Sequence, residues 1–172
     1  EHPVTEMITG VDLVQKQLEI ASGMTLGISQ DSVGINGHSI EARIYAEDAK
    51  RGFLPSIGTL GVWIPPSGPG IRLDSGVRQG DLVTVDFDPM LAKLIVHAPD
   101  RKSAIRRMDN ALSSFVAPGV TTNIGFLRNA LLHPSFTSGS ITTDFLDSTP
   151  INEFDPNYTD PVSYTHLRAH ET

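Results

Sequence analysis

The chain has 172 residues, a formal net charge of -7 and no cysteine. Without cysteine there is no disulfide framework and no thiolate metal site, and the acidic charge argues against a broad nucleic-acid surface, which needs clustered Lys and Arg. No apolar run approaches the ~18 residues of a transmembrane helix, so neither nucleic acid nor a membrane is expected as a partner.

The first predicted element is a helix over residues 9–22. Thr9 is a suitable N-cap, with Asp12 three residues later, and Gly23 suits the C-terminal stop. The apolar residues of this segment follow a 3-4-3 spacing, which predicts one stripe packed against a core. This stripe consists of Val11, Val14, Leu18 and Ala21.

A strand is predicted over residues 38–47, because apolar and polar residues alternate there with period 2. Its apolar face holds Ile40, Ala42, Ile44 and Ala46. Arg43 lies on the opposite, polar face, between Glu41 and Tyr45. Shorter strands are predicted over residues 59–64, 71–74, 82–86 and 91–97, with Pro and Gly residues forming the turns between them.

Two further helices are predicted after the strands. Asp100 caps one that runs to Phe115, and the other covers residues 123–132. The buried stripe of the longer helix consists of Ala104, Ile105, Met108, Leu112 and Phe115. Residues 150–172 lack apolar periodicity and are expected to form a tail. Strands followed by helices, without βαβ alternation, predict an α+β fold.

Several short strings stand along the chain in an informative order. They are EHPVTE (1–6) and TGVDLV (9–14), EARI (41–44) and AED (46–48), FLPS (53–56) with Gly58, Arg72 with Asp74-Ser75, DPMLAKLI (88–95), and Thr122-Asn123. Any one string is weak. Together they resemble the biotin carboxylase subunit or domain of biotin-dependent carboxylases, over roughly residues 1–147.

The resemblance implies an ATP-grasp enzyme closed by a C-terminal α+β domain, in which antiparallel strands pack with helices. Residues 1–35 would be the end of the ATP-grasp domain, and residues 36–149 the biotin carboxylase C-terminal domain. The last part of the tail, residues 160–172, resembles nothing in the family and looks like translated adapter sequence. The chain starts at Glu1 without an initiator Met, so we expect a piece of a longer protein.

The function implied by the resemblance is the ATP-dependent carboxylation of biotin on a carrier protein, with bicarbonate as the carbon source. Glu1 matches the family glutamate that acts as general base toward bicarbonate, so that carboxyphosphate can form. Arg43 matches the arginine that contacts biotin and stabilises negative charge on its ureido oxygen. From the residues alone, Glu1 also reads as an ordinary exposed carboxylate, and Arg43 as a salt-bridge partner of Glu41 or Glu47.

Arg72 and Asp88 match positions at or near the subunit interface of the dimeric bacterial enzymes, where an Arg–carboxylate pair across a two-fold axis is a reasonable role. Both residues stand beside turn signals, so loop capping is the alternative. The resemblance also implies ATP, Mg²⁺ or Mn²⁺, and biotin as cofactors. The metal ligands and the residues that grip the nucleotide would lie upstream of Glu1. We therefore expect no metal site in this chain and no carboxylation by the chain alone.

The implied partners are a biotin carboxyl carrier protein or domain, a carboxyltransferase and, in the full-length enzyme, a second copy in a homodimer. We expect part of a ligase of the acyl-CoA carboxylase type, as used in fatty acid synthesis. The expected compartment is the cytoplasm, with the mitochondrial matrix as the alternative. The competing hypothesis is a non-catalytic α+β module for dimerisation or carrier docking.

Overall fold

The computed structural model describes residues 2–154, without the side chains of residues 151 and 152. The helices are α1 (Pro3–Thr9), α2 (Leu13–Ala21), α3 (Arg101–Ser114), α4 (Ile124–Leu132), α5 (Pro134–Ser138), α6 (Phe145–Ser148) and α7 (Ile151–Phe154). The strands are β1 (His38–Tyr45), β2 (Glu47–Asp48), β3 (Leu54–Pro55), β4 (Gly58–Thr59), β5 (Ile71–Ser75), β6 (Leu82–Val83) and β7 (Met90–Ala98). In this described part, no helix combines the length and apolar character needed to cross a membrane.

A three-stranded antiparallel sheet in the order β1-β7-β5 forms the centre of the fold. Its first pairing begins with His38 opposite Ala98 and places Arg43 opposite Lys93. The predicted strand over residues 38–47 is thereby confirmed for most of its length. Two short antiparallel pairs, β2-β3 and β4-β6, form separate ribbons.

The main hydrophobic core lies between one face of this sheet and helix α3. Ala42 and Ile44 of β1 and Leu94 and Val96 of β7 are buried in it, and Met108 of α3 packs against them. In a strand, successive side chains point to opposite faces. The residues that alternate with these four therefore lie on the other face of the sheet, which is the face that carries the polar side chains.

Local signals correctly predict the two helices that follow the sheet. The carboxylate of Asp100 accepts a hydrogen bond from the backbone N–H of Ser103 at 2.8 Å, as an N-cap does. The predicted stripe of α3, which includes Ile105 and Leu112, is buried. Helix α4 confirms the prediction over residues 123–132. The α+β class, with antiparallel strands packed against helices, is confirmed.

The predicted helix over residues 9–22 is wrong at its start. Thr9 ends α1, and Gly10 follows with φ 71°, a left-handed conformation that terminates the helix. Asp12 is the N-cap of α2, because its carboxylate accepts from the backbone N–H of Gln15 at 2.8 Å. The predicted burial of the apolar stripe is also wrong, since helix α2 has no buried residue and Leu18 is 68% exposed.

The chain continues its packed structure beyond residue 150, where the sequence predicts the tail to start. Helix α7 ends at Phe154, whose side chain is completely buried. The ring centroid of Phe154 lies 5.1 Å from that of Phe126 and 5.5 Å from that of Phe145. A single aromatic residue is enough to anchor so short a segment, although it creates no periodicity. Residues 155–172 lie outside the described part.

Candidate functional site

The polar face of the sheet carries Arg43, the predicted biotin-contacting residue. Arg43 lies on this face near the end of β1, and its side chain is 53% exposed. The residues that flank it, Ala42 and Ile44, are buried on the opposite face and fix the strand in the core. Because side chains alternate between the two faces of the strand, Arg43 lies on the solvent-accessible face of β1.

The guanidinium of Arg43 is oriented by its neighbours on the same strand. Its Nε donates to Oε1 of Glu41 at 3.2 Å, and the side chain of Glu41 is only 16% exposed. Hydrogen bonding of the guanidinium to Glu41, and after it to Tyr45, raises the pKa of Arg43 above its usual value. Of the two salt-bridge partners that the sequence suggests, the structure places Glu41 in contact with Arg43. Its contacts within residues 2–154 do not include Glu47.

Asn123 fixes the backbone on both sides of Arg43. Its buried side chain donates from Nδ2 to the carbonyl oxygen of Arg43 at 3.1 Å. It also accepts at Oδ1 from the backbone N–H of Tyr45 at 2.9 Å. Among the strands of residues 2–154, β1 lies at the edge of its sheet, so these backbone groups have no neighbouring strand there to pair with. The amide of Asn123 takes the place of that strand. In the sequence, Asn123 stands out only as part of a family string, and nothing there indicates this role.

The surface next to Arg43 is an open cavity of about 480 Å³. Tyr45, Phe53 and Phe126 contribute to its lining, and the rings of Phe53 and Phe126 meet edge to face with centroids 5.0 Å apart. Acidic side chains also line the cavity, so it offers a charged donor, an aromatic surface and carboxylate acceptors to a small ligand.

Arg72 connects the sheet to helix α1. Its Nη1 donates to Oε2 of Glu6 at 2.7 Å, while Nε and Nη2 donate to the two oxygens of Asp74 at 2.9 and 2.8 Å. Asp74 and, after it, Glu6 raise the pKa of Arg72. The other oxygen of Glu6 accepts from the backbone N–H of Leu13 at 3.1 Å. The sequence does not indicate Glu6 as a partner, because 66 residues separate it from Arg72.

Asp88 caps a turn rather than pairing with Arg72 within the described residues. One of its oxygens accepts from the backbone N–H of Met90 at 2.8 Å, at the start of β7. This is the loop-capping alternative that the turn signals suggest. The burial of Glu47 raises the pKa of that carboxyl, and the negative charge of Asp88 raises it further by a smaller amount. The assignment of Arg72 and Asp88 to a subunit interface stays a prediction.

Lys93 is a second basic residue on the polar face and was not among the predicted site residues. It stands directly opposite Arg43 in the pairing of β1 with β7, and directly opposite Asp74 in the pairing of β7 with β5. Its side chain is partly buried. A basic residue in a run such as DPMLAKLI gives no signal of its own, since only the strand register reveals its neighbour.

The predicted base, Glu1, lies outside the described residues, and its role stays a prediction. Within residues 2–154, no three His, Asp or Glu side chains lie close enough together to hold a metal ion. The described residues therefore do not fit a Mg²⁺ or Mn²⁺ site, and no step of the chemistry is derived through a metal.

Comparison with known proteins matches two segments of the chain to two family models. Residues 41–148 match the family described as the biotin carboxylase C-terminal domain. Residues 1–29 match the ATP binding domain of the carbamoyl-phosphate synthase L chain. The two matched segments are separated by residues 30–40, which include the end of the loop that precedes β1.

Curated relatives extend well beyond this chain. Over 148 residues it is 48% identical to the mitochondrial methylcrotonoyl-CoA carboxylase subunit alpha of Oryza sativa subsp. japonica, a match that covers 86% of this chain and 20% of the relative. It is 45% identical to the mitochondrial propionyl-CoA carboxylase alpha chain of Caenorhabditis briggsae, with 85% and 20% covered. The chain thus spans about a fifth of the length of these relatives.

Solved structures share the fold at high similarity. The biotin carboxylase domain dimer of Hydrogenobacter thermophilus 2-oxoglutarate carboxylase, in complex with MgADP, ADP and bicarbonate, is 46% identical with a TM-score of 0.85. That match covers 93% of this chain and 35% of that one. The complete multifunctional pyruvate carboxylase of Rhizobium etli is 38% identical with a TM-score of 0.86, and 94% of this chain and 16% of that one are covered.

Proposed function

Because the chain belongs to the biotin carboxylase family, we propose that it is the C-terminal part of a biotin carboxylase. In this proposal the complete enzyme is a ligase that uses ATP and bicarbonate to carboxylate biotin on a carrier protein. The chain supplies the residue that stabilises the reacting biotin, while the nucleotide is bound by residues upstream of Glu1. The isolated chain is therefore expected to be inactive.

One observation carries this proposal: Arg43 is both fixed and accessible. Glu41 orients its guanidinium, Asn123 fixes its backbone, and the side chain is still half exposed beside a cavity with aromatic walls. An arginine that served only the surface would not need a buried amide to hold the backbone on both sides of it. An arginine that receives a ligand does need a fixed position.

The chemistry that Arg43 can perform is electrostatic. Removing the proton from the ureido nitrogen of biotin places negative charge on the ureido oxygen. A pre-positioned cation lowers the free energy of that charged state more than it lowers that of neutral biotin. The raised pKa of Arg43, caused mainly by Glu41, keeps the guanidinium protonated throughout. Arg43 thus acts as a charge stabiliser and takes no part in proton transfer.

Glu1 is proposed as the base that removes the proton of bicarbonate. Support for this role comes from the string that follows it and from the position of α1. This helix lies against β1 and β7 on the polar face of the sheet, where Glu6 bonds to Arg72. Helix α1, which follows Glu1 in the sequence, is therefore tied to the face that carries Arg43.

The remaining assignments are proposed on the basis of family membership. ATP, Mg²⁺ or Mn²⁺, and biotin are the cofactors of the complete enzyme, and the MgADP and bicarbonate bound to the Hydrogenobacter domain support this. A carrier protein, a carboxyltransferase and a second copy of the enzyme are the partners. The matches to residues 1–29 and 41–148 support a domain boundary near residue 35.

The compartment follows the same reasoning. The cytoplasm is the first assignment from the sequence. The plant and nematode relatives, however, carry the word mitochondrial in their names. That supports the alternative, the mitochondrial matrix, for the complete enzyme.

A hybrid enzyme tests the proposal. The whole chain replaces the corresponding segment of the Hydrogenobacter 2-oxoglutarate carboxylase biotin carboxylase domain, and biotin-dependent ATP cleavage is measured with bicarbonate. We expect activity in the hybrid and a loss of about 100-fold in kcat for Arg43→Met, the size expected for removing one charge-stabilising donor. Arg106→Met is the matched control, because Arg106 is an exposed arginine on α3.

Two outcomes would overturn the proposal. One is a folded hybrid that cleaves ATP without dependence on biotin, and the other is an Arg43→Met hybrid with unchanged activity. The isolated chain is assayed in parallel for phosphate release with bicarbonate and free biotin. Turnover there would contradict the expected division of labour between this chain and the ATP-binding region.

A further inference from the structure

A second cavity enters the main hydrophobic core beside β1. Its volume is about 230 Å³, and apolar side chains from β1, α3, α4 and α5 line most of it. Met108, Leu112 and Leu131 in its wall are almost completely buried, whereas Thr142 and Thr143 are exposed and mark its mouth. The cavity is therefore a deep, apolar space that is open to solvent on one side.

An apolar space of this size suits an apolar ligand better than water. Protein interiors are packed at the density of organic crystals and contain few voids larger than a water molecule. An engineered apolar cavity of about 150 Å³ in another protein stays free of water and binds benzene. On the same scale, a cavity of about 230 Å³ holds an alkyl or aryl group of roughly six to nine carbon atoms.

One charged side chain determines which head group such a ligand can carry. Among the described residues that line this cavity, Glu41 is the only charged one. Its side chain is 16% exposed, and its Oε1 accepts from Nε of Arg43 at 3.2 Å. A carboxylate can accept more than one hydrogen bond, so Glu41 can also accept from a donating head group, whereas it repels an anionic one.

The same carboxylate connects this cavity to the proposed biotin site. Four residues line both this cavity and the cavity next to Arg43, namely Glu41, Ala42, Leu127 and Leu146. Glu41 also orients the guanidinium of Arg43 through their hydrogen bond. A donating head group at Glu41 competes with Arg43 for this carboxylate, and it thereby weakens the hold of Glu41 on the guanidinium.

We propose that this cavity is a regulatory site for a small ligand with an apolar body of roughly six to nine carbon atoms and a non-anionic head group that donates a hydrogen bond to Glu41. Binding there lowers the affinity of the enzyme for biotin. The ligand site stands on the cavity alone, whereas the regulatory effect rests on the proposed function and deepens it. The competing occupant is an apolar side chain of a partner protein, which would need no particular charge in the cavity wall.

Binding is measured with three probes that share a six-carbon chain and differ in the head group, namely hexylamine, 1-hexanol and hexanoate. In NMR titrations of the chain we expect hexylamine and 1-hexanol to shift the methyl signals of Met108 and Leu112. Their Kd should be on the order of 1 mM, because the probes contain so few atoms. Hexanoate should bind at least about tenfold more weakly than hexylamine, because its carboxylate faces that of Glu41.

Two substitutions locate the binding site. Ala130→Leu adds a larger side chain inside the cavity and should abolish the shifts, while Ala21→Leu on the exposed end of α2 is the matched control. Glu41→Gln removes the charge and should bring the affinities for hexylamine and hexanoate to within about twofold of each other. If Ala130→Leu does not fold, Ala130→Val is used, and an unchanged affinity in that variant counts against the site.

The regulatory effect is measured in the hybrid enzyme. Saturating hexylamine should raise the KM for biotin about fivefold, near the lower end of the coupling found between two sites, and should leave the KM for MgATP within about twofold. In the Ala130→Leu hybrid, hexylamine should have no effect on the KM for biotin, because the cavity is filled.

The outcomes separate this inference from the proposed function. Hexanoate that binds as tightly as hexylamine, or probes that shift neither methyl signal, would overturn the ligand site. Binding without an effect on the KM for biotin in an active hybrid would overturn the regulatory role. An inactive parent hybrid overturns the proposed function and the regulatory effect with it, whereas the binding results on the isolated chain remain valid.

Discussion

Asn123 donates from its side-chain amide to the carbonyl oxygen of Arg43 at 3.1 Å, across 80 residues of sequence. The same side chain accepts from the backbone N–H of Tyr45 at 2.9 Å. One buried amide thus satisfies two backbone groups on the open edge of β1, next to the residue that we propose to contact biotin. The position of Arg43 therefore depends on the residue that directly precedes helix α4.

Replacing Asn123 should weaken both the fold and the proposed site. Asn123→Ala leaves the N–H of Tyr45 and the carbonyl of Arg43 without a partner, and each unsatisfied buried group costs about 1–3 kcal/mol. We expect the free energy of unfolding of the chain, measured with urea, to fall by about 2–6 kcal/mol for the two groups together. In the hybrid enzyme kcat should fall as well, while the KM for MgATP should not change.

The control for Asn123 is Asn110→Ala on the exposed surface of α3. Substitutions at such positions usually change stability by no more than about 0.5 kcal/mol. Equal effects of the two variants on unfolding would show that Asn123 does not support the edge strand. A normal kcat in a destabilised Asn123→Ala hybrid would separate its structural role from any role in positioning Arg43.

The contact between Glu6 and Arg72 should contribute a measurable coupling energy. Arg72 is 37% exposed and Glu6 is 15% exposed, so solvent screens the pair only in part. We expect a double-mutant cycle of Glu6→Gln and Arg72→Met to give a coupling near the upper end of the about 0.2–1 kcal/mol found for exposed pairs. Glu6→Gln is chosen because glutamine still accepts from the backbone N–H of Leu13.

The same cycle repeated in 1 M NaCl should give a smaller coupling, since the Debye length is then only about 3 Å. A coupling that is zero at low salt would mean that Arg72 stabilises the sheet through Asp74 alone. A dimeric full-length enzyme that dissociates after Arg72→Met would instead support the interface role predicted from the sequence.

Local patterns are sufficient to predict the elements that form the core. The alternation of apolar and polar residues around Ile44 predicts β1, and the Asp100 cap with the apolar stripe that follows it predicts α3. Both patterns can be recognised because they involve only residues that are close together in the sequence. Local signals were insufficient at the start of α2, where Thr9 and Asp12 are both suitable caps. The left-handed Gly10 decides between them, and the sequence alone does not show that conformation.

The site was predictable only in part, because its geometry arises from contacts that are distant in sequence. Arg43 was recognised through its strand and the family string around it. Its support by Asn123 and its pairing with Lys93 depend on the register of β1 and on where a distant loop returns. Glu6 and Arg72 show the same limit, since neither residue has a signal that points to the other.

Phe154 should contribute substantially to stability, although it lies in the segment predicted to be a tail. Its side chain is completely buried against Phe126 and Phe145. Phe→Ala changes in cores cost about 3–5 kcal/mol, and we expect the lower end because so short a helix can detach locally. Urea unfolding of Phe154→Ala measures this, with Phe87→Ala as the control because Phe87 is 83% exposed.

If the two phenylalanine variants are equally stable, helix α7 does not hold the C-terminal segment against the core. Truncation offers an independent comparison. Relative to a chain ending at residue 154, a chain ending at residue 149 should lose about as much stability as Phe154→Ala causes, because both changes remove the same ring.

His38, at the first position of β1, should make stability depend on pH. Burial lowers the pKa of its imidazole, and the nearby positive charge of Arg101 lowers it further, against a smaller raising effect of Asp100. Its Nε2 lies 3.3 Å from Nη1 of Arg101, which can only donate, so the contact requires the neutral ring. Protonation of His38 would place two positive charges side by side.

The direction of the pH effect follows from linkage. Histidine in the unfolded chain has a pKa of about 6.5, so both states are neutral at higher pH and the contribution to stability is complete there. Below about 6.5 the unfolded chain binds a proton that the folded chain does not, and stability falls with decreasing pH until the folded pKa is reached. His38→Gln keeps an acceptor for Arg101 and should remove this dependence. NMR titration of the His38 ring measures the pKa directly, and a value at or above about 6.5 would show that neither burial nor Arg101 acts on it as the structure indicates.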